Sequence, residues 1–235
     1  MSQVILELKN VSIEYSSRVG LFKSFKHKAL NNVSFKLKKG EVLGVVGGNG
    51  SGKSTLLQLL SGVLMPDEGQ VSVDKHISRS LLTLGLGFNV QLSGRDNALI
   101  SCLFNGLTKK ESQKKLDEIK AFSELGDFFE QPVKSYSSGM RARLGFAAGL
   151  LLEVDILLID EVLSVGDQNF RAKAEAALLN KMQGEQTVVF VSHSAPQIEK
   201  LCQRCIWLDN GNVVMLGDSR NVIEEYEKRS FEYGA

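Results

Sequence analysis

The stretch Gly47–Ser54, GGNGSGKS, has the residue types and spacing of a phosphate-binding loop. It fits the pattern G-x-x-x-x-G-K-[ST] at every fixed position. Backbone N–H groups of such a loop surround an anion, and the positive end of the following helix reinforces them. Lys53 is expected to reach the β- and γ-phosphates of a nucleotide, and the Ser54 hydroxyl to ligate Mg²⁺. The predicted nucleotide contacts in this loop are Gly47, Asn49, Gly50, Ser51, Gly52, Lys53, Ser54 and Thr55.

The stretch DILLIDE ends in two adjacent carboxylates, Asp160 and Glu161. Its apolar part, 155–160, predicts a buried strand that delivers Asp160 to its carboxyl end. If this strand neighbours the strand before the phosphate loop in a parallel sheet, Asp160 lies beside the loop. There it would hold Mg²⁺ through water, as phosphoryl transfer requires. Glu161 would then act as the general base on the attacking water.

A further candidate is His193, in VFVSHSA, directly after the apolar run 187–192. A histidine at such a strand end can donate a hydrogen bond to the γ-phosphate. Its place after a strand in the expected order favours this role over a structural one. The predicted catalytic residues are Lys53, Glu161 and His193, and the predicted metal ligands are Ser54 and Asp160.

Apolar periodicity predicts the elements that position these residues. Strands are predicted at 4–15, 30–38, 41–46, 155–160 and 187–192, with a strand after the turn PDEG and a hairpin turning at Asn210-Gly211. Helices are predicted from about Lys53, over most of 94–130, over SGMRARLGFAAGLLLE, at 168–183 and near the C-terminus. Thr108 and Glu111 have the spacing of a helix capping box. The pattern is an α/β core with a helical insertion.

Composition narrows the class of protein. With 235 residues, the chain is expected to form one large domain, or a domain with a subdomain. Its net charge of +1 gives no overall electrostatic field that would attract nucleic acid or a membrane. The start lacks the pattern of a signal peptide, and no apolar run approaches the length of a membrane span. We therefore expect a cytosolic chain. Cys202 and Cys205 form a lone CxxC that predicts buried thiols rather than zinc, because no second ligand pair is visible.

The stretch YSSGM, 136–140, predicts a second helix that starts with serine and glycine, an arrangement that can also bind phosphate. Because the chain already has a phosphate loop, this second helix start needs a separate explanation. With this stretch included, the sequence resembles the ATPase subunits of ABC transporters over nearly its whole length and in order. YSSGM looks like the signature motif of that family, usually LSGGQ. The resemblance implies that Ser137 and Gly139 close over the γ-phosphate held by a second copy of the chain, in a head-to-tail dimer with two ATP molecules between the subunits.

The resemblance implies further roles and a complete fold. Tyr15 matches the aromatic residue that stacks on adenine, although a plain strand-edge tyrosine is the alternative. LSVGD, 163–167, matches a dimer-contact loop containing Asp167, with Gly166 departing from the usual Ser-Ala-Leu-Asp. The implied fold is α/β: a P-loop NTPase core, with a mixed sheet and an antiparallel β subdomain, plus an α-helical subdomain. Residues 1–235 would form a single nucleotide-binding domain, in which the helical part, about 94–152, receives a transmembrane permease.

One family feature is missing. Relatives carry a Pro-Gln pair whose glutamine touches Mg²⁺ and the attacking water, and here its position falls near Thr83 or Leu84, while Gln91 lies close to LSGRDN. LGLGFNVQLSGRDN, YSSGM and SVGD together resemble the subgroup that exports lipid-linked polysaccharides such as O-antigen, capsule or teichoic acid. This implies a motor at the cytoplasmic face of the cell membrane, attached through the permease. Because the chain ends at Ala235, we expect no appended sugar-binding domain.

Alternative interpretations remain open from the sequence. An ABC importer or drug exporter would share the same chemistry. A soluble ABC-type ATPase acting on ribosomes or DNA usually has two nucleotide domains or a long coiled coil, and a metabolic kinase leaves YSSGM unexplained. The basic segment 16–28, with Lys23, Lys26 and Lys28 among apolar residues, is expected to be a solvated hairpin tip or a membrane contact.

Overall fold

The structure is a computed structural model that describes residues 3–18, 24–82, 87–160 and 166–233. The strands are β1 (Val4–Arg18), β2 (Ser24–Lys38), β3 (Val42–Val46), β4 (Glu68–Val73), β5 (Arg79–Leu82), β6 (Ile156–Asp160), β7 (Thr187–Val191), β8 (Arg204–Asp209) and β9 (Asn212–Asp218). The helices are α1 (Lys53–Ser61), α2 (Gly94–Phe104), α3 (Lys109–Ser123), α4 (Ser138–Leu151), α5 (Gln168–Gln183), α6 (Ala195–Leu201) and α7 (Ser219–Tyr233), with short 3₁₀ turns at Gly126–Glu130 and Val133–Ser135.

The larger sheet has six strands in the order β5-β6-β7-β3-β8-β9. Its first five strands run parallel, and β9 pairs antiparallel with β8 through the hairpin at Asn210-Gly211. Strands β3 and β7 are buried along their whole length. This is typical of parallel strands covered on both faces and explains why they appear in the sequence as continuous apolar runs. The predicted hairpin is confirmed, and both turn residues have the positive φ that it requires, 46° and 78°.

The smaller sheet is antiparallel, in the order β2-β1-β4. Strands β1 and β2 are longer than predicted, because their pairing continues to Arg18 opposite Ser24. This sheet and α1 cover one face of the large sheet, and their shared core includes Leu43 of β3, Leu56 of α1 and Leu158 of β6. The mixed sheet and the antiparallel sheet implied by the family resemblance are therefore confirmed.

The opposite face of the large sheet packs against helices. Val42 and Leu157 point into this second core, where they join Leu116 of α3, Phe146 of α4 and Phe170 of α5. Successive residues of one strand point to opposite faces, so each central strand contributes to both cores. The three helices α2, α3 and α4 pack against one another and follow β5 in the chain. Strand β5 was not predicted, because its four residues, RSLL, are too few to show an apolar period.

Two local predictions are confirmed, the capping box of α3 and the burial of the thiols of Cys202 and Cys205. Thr108 Oγ1 accepts a hydrogen bond from the Glu111 N–H, and the Glu111 carboxylate accepts one from the Thr108 N–H, which completes the capping box of α3. Cys202 ends α6 and Cys205 lies in β8, and both are buried.

Within the described parts of the chain, no cluster of histidine, cysteine and carboxylate side chains is arranged to hold a metal ion. None of the described helices is long and apolar enough to cross a bilayer.

Candidate functional site

The predicted phosphate loop connects β3 to α1. Lys53 is the first residue of α1, and its buried ammonium donates hydrogen bonds to the carbonyl oxygens of Gly47, at 2.8 Å, and Gly48, at 2.7 Å. The N–H of Ser51 donates to the Gly48 carbonyl at 3.3 Å, so the loop folds around the lysine. This places one positive charge and the positive end of a helix at the same point, as anion binding requires.

Two glycines of the loop have no space for a side chain. A Cβ atom on Gly47 would lie 2.2 Å from the carbonyl oxygen of Leu208 at the end of β8. A Cβ atom on Gly52 would lie 2.3 Å from the carbonyl oxygen of Ala29, and Gly52 has a φ of 105° that other residues rarely adopt. The backbone of the loop is therefore pressed between β2 and β8, with its open side away from both.

Asp160 contacts the start of α1. The Ser54 hydroxyl donates a hydrogen bond to Asp160 Oδ2 at 3.0 Å. The route differs from the one expected, because β7 lies between β3 and β6 and the two strands are not neighbours. Helix α1 packs against β6 instead and carries Ser54 across to the carboxylate. The expected proximity of Asp160 to the loop is thus present, but it comes from α1 and not from neighbouring strands.

A cavity of about 540 Å³ joins most of the residues predicted around the phosphate loop, although Gly47 is not among the described residues that line it. The phosphate loop lines it over Asn49–Thr55, Asp160 and His193 line it at the carboxyl ends of β6 and β7, and Tyr15 lines it from β1. Because β7 lies between β3 and β6, His193 emerges between the loop and Asp160. Tyr15 is 44% exposed, so its ring is accessible to a planar ligand.

The residues that line this cavity fit a nucleoside triphosphate with Mg²⁺. Ser54 and Asp160 present a hydroxyl and a carboxylate oxygen within 3.0 Å of each other, and hard oxygen donors are those that Mg²⁺ prefers. Ser51 Oγ is buried and has no hydrogen-bond partner among the described residues. A buried hydroxyl without a partner is costly, and a phosphate oxygen would satisfy it. Lys53 supplies the balancing positive charge.

Ser137, Ser138, Gly139 and Met140 line a different cavity, of about 520 Å³. Ser137 caps α4, its Oγ accepting a hydrogen bond from the Met140 N–H at 3.2 Å, and Gly139 lies in the first turn. A Cβ atom on Gly139 would meet only Ser137 Oγ, at 3.9 Å, so no packing inside the described chain requires a glycine there. No described residue lines both this cavity and the phosphate-loop cavity.

Tyr136, the first residue of YSSGM, has a structural position. Its side chain is buried, and its hydroxyl donates a 2.5 Å hydrogen bond to the carbonyl oxygen of Phe128. Burial raises the pKa of the Tyr136 hydroxyl. A tyrosine can replace the leucine usual in this motif because its ring fills the core while its hydroxyl finds a partner.

Asp167 links the start of α5 to α4. Its Oδ1 accepts hydrogen bonds from the N–H groups of Asn169, at 3.1 Å, and Phe170, at 3.0 Å, and its Oδ2 pairs with the Arg143 guanidinium. The Phe170 N–H and then Arg143 hold the pKa of the Asp167 carboxyl below its ordinary value, against an opposing effect of desolvation. Arg143 also lies over the Phe170 ring, 5.1 Å from its centroid. The predicted Asp167 thus acts within its own chain as a helix cap.

Some predictions fall elsewhere. Glu161, Thr83 and Leu84 lie outside the described residues. Gln91 is exposed in a turn, where its N–H donates to Asn89 Oδ1 at 3.0 Å, and it is not among the described residues that line the phosphate-loop cavity. The basic segment 16–28 is only partly described: Lys26 pairs with Glu14 at 2.7 Å, while Lys23 lies outside the described residues.

Comparison with known proteins decides the family. The family model described as ABC transporter matches residues 30–164, more than half of the chain. The O-antigen export system ATP-binding protein RfbB of Klebsiella pneumoniae is 42% identical over 208 residues, which cover 88% of this chain and 84% of that protein. The chain belongs to the ABC transporter family.

Other members of the ABC transporter family share the similarity. The teichoic acids export ATP-binding protein TagH of Bacillus cereus is 44% identical over 88% of this chain, which spans only 37% of that longer protein. The solved post-hydrolysis dimer of the ATP-binding cassette MJ0796 with ADP and Pi superposes with a TM-score of 0.74 at 25% identity, covering 92% of this chain and 99% of that one. Family membership makes the chain an ATPase of the ATP-binding cassette type.

Two residues of this ABC transporter family chain were missed from the sequence. His27 lines the phosphate-loop cavity and stands opposite Tyr15 in the β1–β2 ladder. Arg143 joins α4 to Asp167 and also lies 3.8 Å from the Glu124 carboxylate. Neither belongs to a short motif. Only the alternation of β2, or the four-residue spacing of Arg143 from Gly139, could have indicated the faces on which they lie.

Proposed function

We propose that this chain is the ATP-hydrolysing subunit of a transporter that exports a lipid-linked polysaccharide across the cytoplasmic membrane. The main support for the proposed ATPase site is that the phosphate loop, Asp160, His193 and Tyr15 line the same cavity. In this proposal Tyr15 stacks on adenine, and residues Gly47 and Asn49–Thr55 surround the phosphates.

The chain's own residues have separate roles at the reacting phosphate. Lys53 balances the charge of the β- and γ-phosphates, and His193 donates a hydrogen bond to the γ-phosphate. Glu161 follows Asp160 directly in the sequence and is proposed as the general base that takes a proton from the attacking water. Ser54 and Asp160 would hold Mg²⁺, which supplies charge neutralisation at the phosphate oxygens.

A second copy of the chain is proposed to complete each site. Ser137 and Gly139 line a cavity separate from the phosphate loop, although the motif begins a helix whose N-terminus favours an anion. The open space at Gly139 allows another backbone or a phosphate to approach closely. These observations support a head-to-tail dimer with two ATP molecules between the subunits, and the dimeric MJ0796 cassette is a precedent for pairing of such chains.

The helical part is proposed to receive a transmembrane permease, within a single nucleotide-binding domain of residues 1–235. A groove of about 300 Å³ lies between α2, α4 and β5. Beside it, Phe104 is 87% exposed and Leu103 is 45% exposed. Apolar side chains of this size at one helix end are typical of a protein interface. Docking there would hold the chain at the cytoplasmic face of the membrane, with residues about 94–152 as the helical subdomain.

The substrate class rests on the relatives. Proteins 40–44% identical to this chain are named as ATP-binding proteins of O-antigen and teichoic acid export systems. Both names describe the export of a surface polymer. We propose that this chain serves the export of such a polymer while it is linked to a lipid. The chain would contact the permease and not the polymer. No nucleic acid is proposed as a partner, since the net charge is only +1.

The cellular test replaces Glu161 by Gln in the source cell and fractionates its glycans. We expect lipid-linked polymer to accumulate inside while surface polysaccharide is lost, because the site would bind ATP without hydrolysing it. Glu175→Gln is the matched control, as Glu175 is exposed on α5 and lines neither cavity. If surface glycans stay normal while uptake of a solute or resistance to a drug fails, polysaccharide export is the wrong assignment.

The dimer is tested with purified Glu161→Gln protein and Mg-ATP by size-exclusion chromatography with light scattering. We expect a dimer with ATP and a monomer without it. Adding Gly139→Leu should abolish the dimer without lowering thermal stability, because the new side chain points into open space within the chain. A dimer that persists in the double variant would exclude Gly139 from the contact.

A further inference from the structure

The turn between β8 and β9 is hydrogen-bonded to two parts of the nucleotide site. The Gly211 N–H donates to the carbonyl oxygen of Ser51 in the phosphate loop, at 3.0 Å. The Asn31 N–H of β2 donates to the Gly211 carbonyl oxygen, at 2.8 Å. One buried residue of a hairpin turn therefore joins the phosphate loop to the antiparallel sheet.

The three segments meet backbone to backbone. Gly211 has a φ of 78°, and a Cβ atom on it would lie 2.9 Å from the Ala29 carbonyl oxygen and 3.1 Å from that of Lys28. The same Ala29 oxygen would be 2.3 Å from a Cβ atom on Gly52. Both glycines thus face one short stretch of β2, and a side chain on Gly211 would push against that stretch rather than against the phosphate loop.

Side chains extend the connection. The Asn31 amide donates from Nδ2 to Asn212 Oδ1 at 2.9 Å, and the Asn212 amide donates to the Asn210 carbonyl oxygen at 2.9 Å. These bonds join β2 to the turn a second time, next to the bond between the Asn31 N–H and Gly211. Directional hydrogen bonds of this kind fix a distance, whereas the apolar core beneath the sheet is non-directional.

The stretch of β2 that lies against Gly211, residues 28–31, is adjacent to Tyr15. In the β1–β2 ladder Lys28 stands opposite Glu14 and His27 opposite Tyr15. Lys28 and Ala29 are also the residues that a side chain on Gly211 would displace. A shift of this stretch relative to the phosphate loop is therefore expected to move Tyr15 relative to that loop.

We propose that the turn Asp209–Asn212 sets the distance between the nucleobase-stacking residue Tyr15 and the phosphate loop, with Gly211 and Asn31 as positioning residues for nucleotide specificity. The inference rests on the proposed ATP site. A nucleoside polyphosphate has a limited span from base to β-phosphate, so it gains from both contacts only when the two subsites are correctly spaced. An inorganic polyphosphate contacts only the phosphate loop, so its affinity does not depend on that spacing.

The test measures binding of Mg-ADP and Mg-pyrophosphate by isothermal titration calorimetry. Stacking of a base on an aromatic side chain typically contributes about 5- to 150-fold in affinity. We expect Gly211→Ala to raise the Kd for ADP by about tenfold and the Kd for pyrophosphate by less than about twofold. Asn31→Ala, which keeps the glycine and removes only a side-chain bond, should shift the same ratio in the same direction by a smaller factor.

A control accompanies these variants. Gly106→Ala introduces comparable backbone strain, at a φ of 87° and with nothing within 4 Å, far along the chain in the helical part. It should lower stability without changing the ratio of the two affinities.

A double-mutant cycle decides the mechanism. In a Tyr15→Ala background, Gly211→Ala should cause no further loss of ADP affinity, because the contact that it disturbs is already absent. Equal loss of ADP and pyrophosphate binding in Gly211→Ala and Asn31→Ala, or additive losses with Tyr15→Ala, would overturn the positioning role while leaving the ATP site in place. If Tyr15→Ala leaves ADP binding unchanged, the stacking role is wrong and the positioning role with it.

Discussion

At the scale of single residues, the phosphate loop depends on close approach. Gly47 and Gly52 bring their backbones against the carbonyl oxygens of Leu208 and Ala29, where any side chain would collide. Lys53 is folded into the loop and buried, and Ser51 Oγ lacks a partner among the described residues. The loop's own backbone thus holds the Lys53 ammonium, while Ser51 Oγ is left for a phosphate oxygen to satisfy.

The first prediction concerns Gly52→Ala. The new Cβ atom would lie 2.3 Å from the Ala29 carbonyl oxygen at a φ of 105°, so we expect the free energy of unfolding to fall by about 2–4 kcal/mol. Gly106→Ala has a similar backbone strain without the collision and should lose only about 1 kcal/mol. Urea unfolding followed by circular dichroism measures both. Equal losses would mean that the loop yields to the added methyl group.

At the scale of elements, many of the predicted site residues lie at the N-termini of helices. Helix α1 begins at the phosphate loop, α4 begins at YSSGM, and α5 begins at Asp167. The Asp167 carboxylate satisfies two N–H groups of α5 and pairs with Arg143 of α4. The same residue therefore caps one helix and ties it to the helix that carries Ser137 and Gly139. We expect the relative position of α4 and α5 to depend on its charge.

The second prediction is a pH dependence. The folded pKa of Asp167 lies below its ordinary value of 3.8, chiefly through the Phe170 N–H and then Arg143. A lowered pKa means that the carboxylate stabilises the fold above the unfolded pKa and that this stability is lost as pH falls through the folded pKa. Wild type should be more stable than Asp167→Asn at pH 7, and the difference should shrink below about pH 4.

Urea unfolding of the two proteins across this pH range makes the measurement. Asparagine also caps helices, so the substitution removes the charge while keeping a cap. Asp127→Asn, in the exposed 3₁₀ turn, is the matched control for loss of one negative charge. A difference between wild type and Asp167→Asn that stays constant with pH would show that the charge is not involved.

At the scale of the whole molecule, two cores on opposite faces of the large sheet hold the site. One joins the sheet to α1 and to the antiparallel sheet, and the other joins it to the helices. Cys102 lies in the helical part, and Cys202 and Cys205 lie where α6 meets the sheet, all three within the second core. Burial raises the pKa of each thiol, for Cys205 to about 12. These thiols therefore report whether the second core opens as a unit.

The third prediction is that all three cysteines are unreactive in the folded protein. A buried neutral thiol is a poor nucleophile, so reaction with a thiol reagent at pH 8 requires opening of the core. We expect labelling at least about a thousandfold slower than in urea, where all the thiols should react at once. Mass spectrometry of the labelled peptides assigns each rate. Rapid labelling of Cys102 alone would show that the helical part opens independently of the sheet.

Much of the site was predictable because it depends on contiguous residues. The phosphate loop, the capping box at Thr108 and Glu111 and the turn at Asn210-Gly211 are each stabilised by contacts within a few positions of the chain. The apolar runs that became β3, β6 and β7 were equally visible, since strands covered on both faces tolerate few polar residues. Their end residues Asp160 and His193 could therefore be assigned to one edge of a sheet.

What the tertiary structure decided depends on contacts between distant parts of the chain. Strand order places β7 between β3 and β6, which no local pattern encodes, and α1 rather than strand pairing brings Ser54 to Asp160. Register places His27 opposite Tyr15, because a shift of one residue would turn it to the other face. The sequence by itself predicted the groups that we propose to bind phosphate. Long-range packing, in which many weak contacts act together, determined their distances from one another and from Gly211.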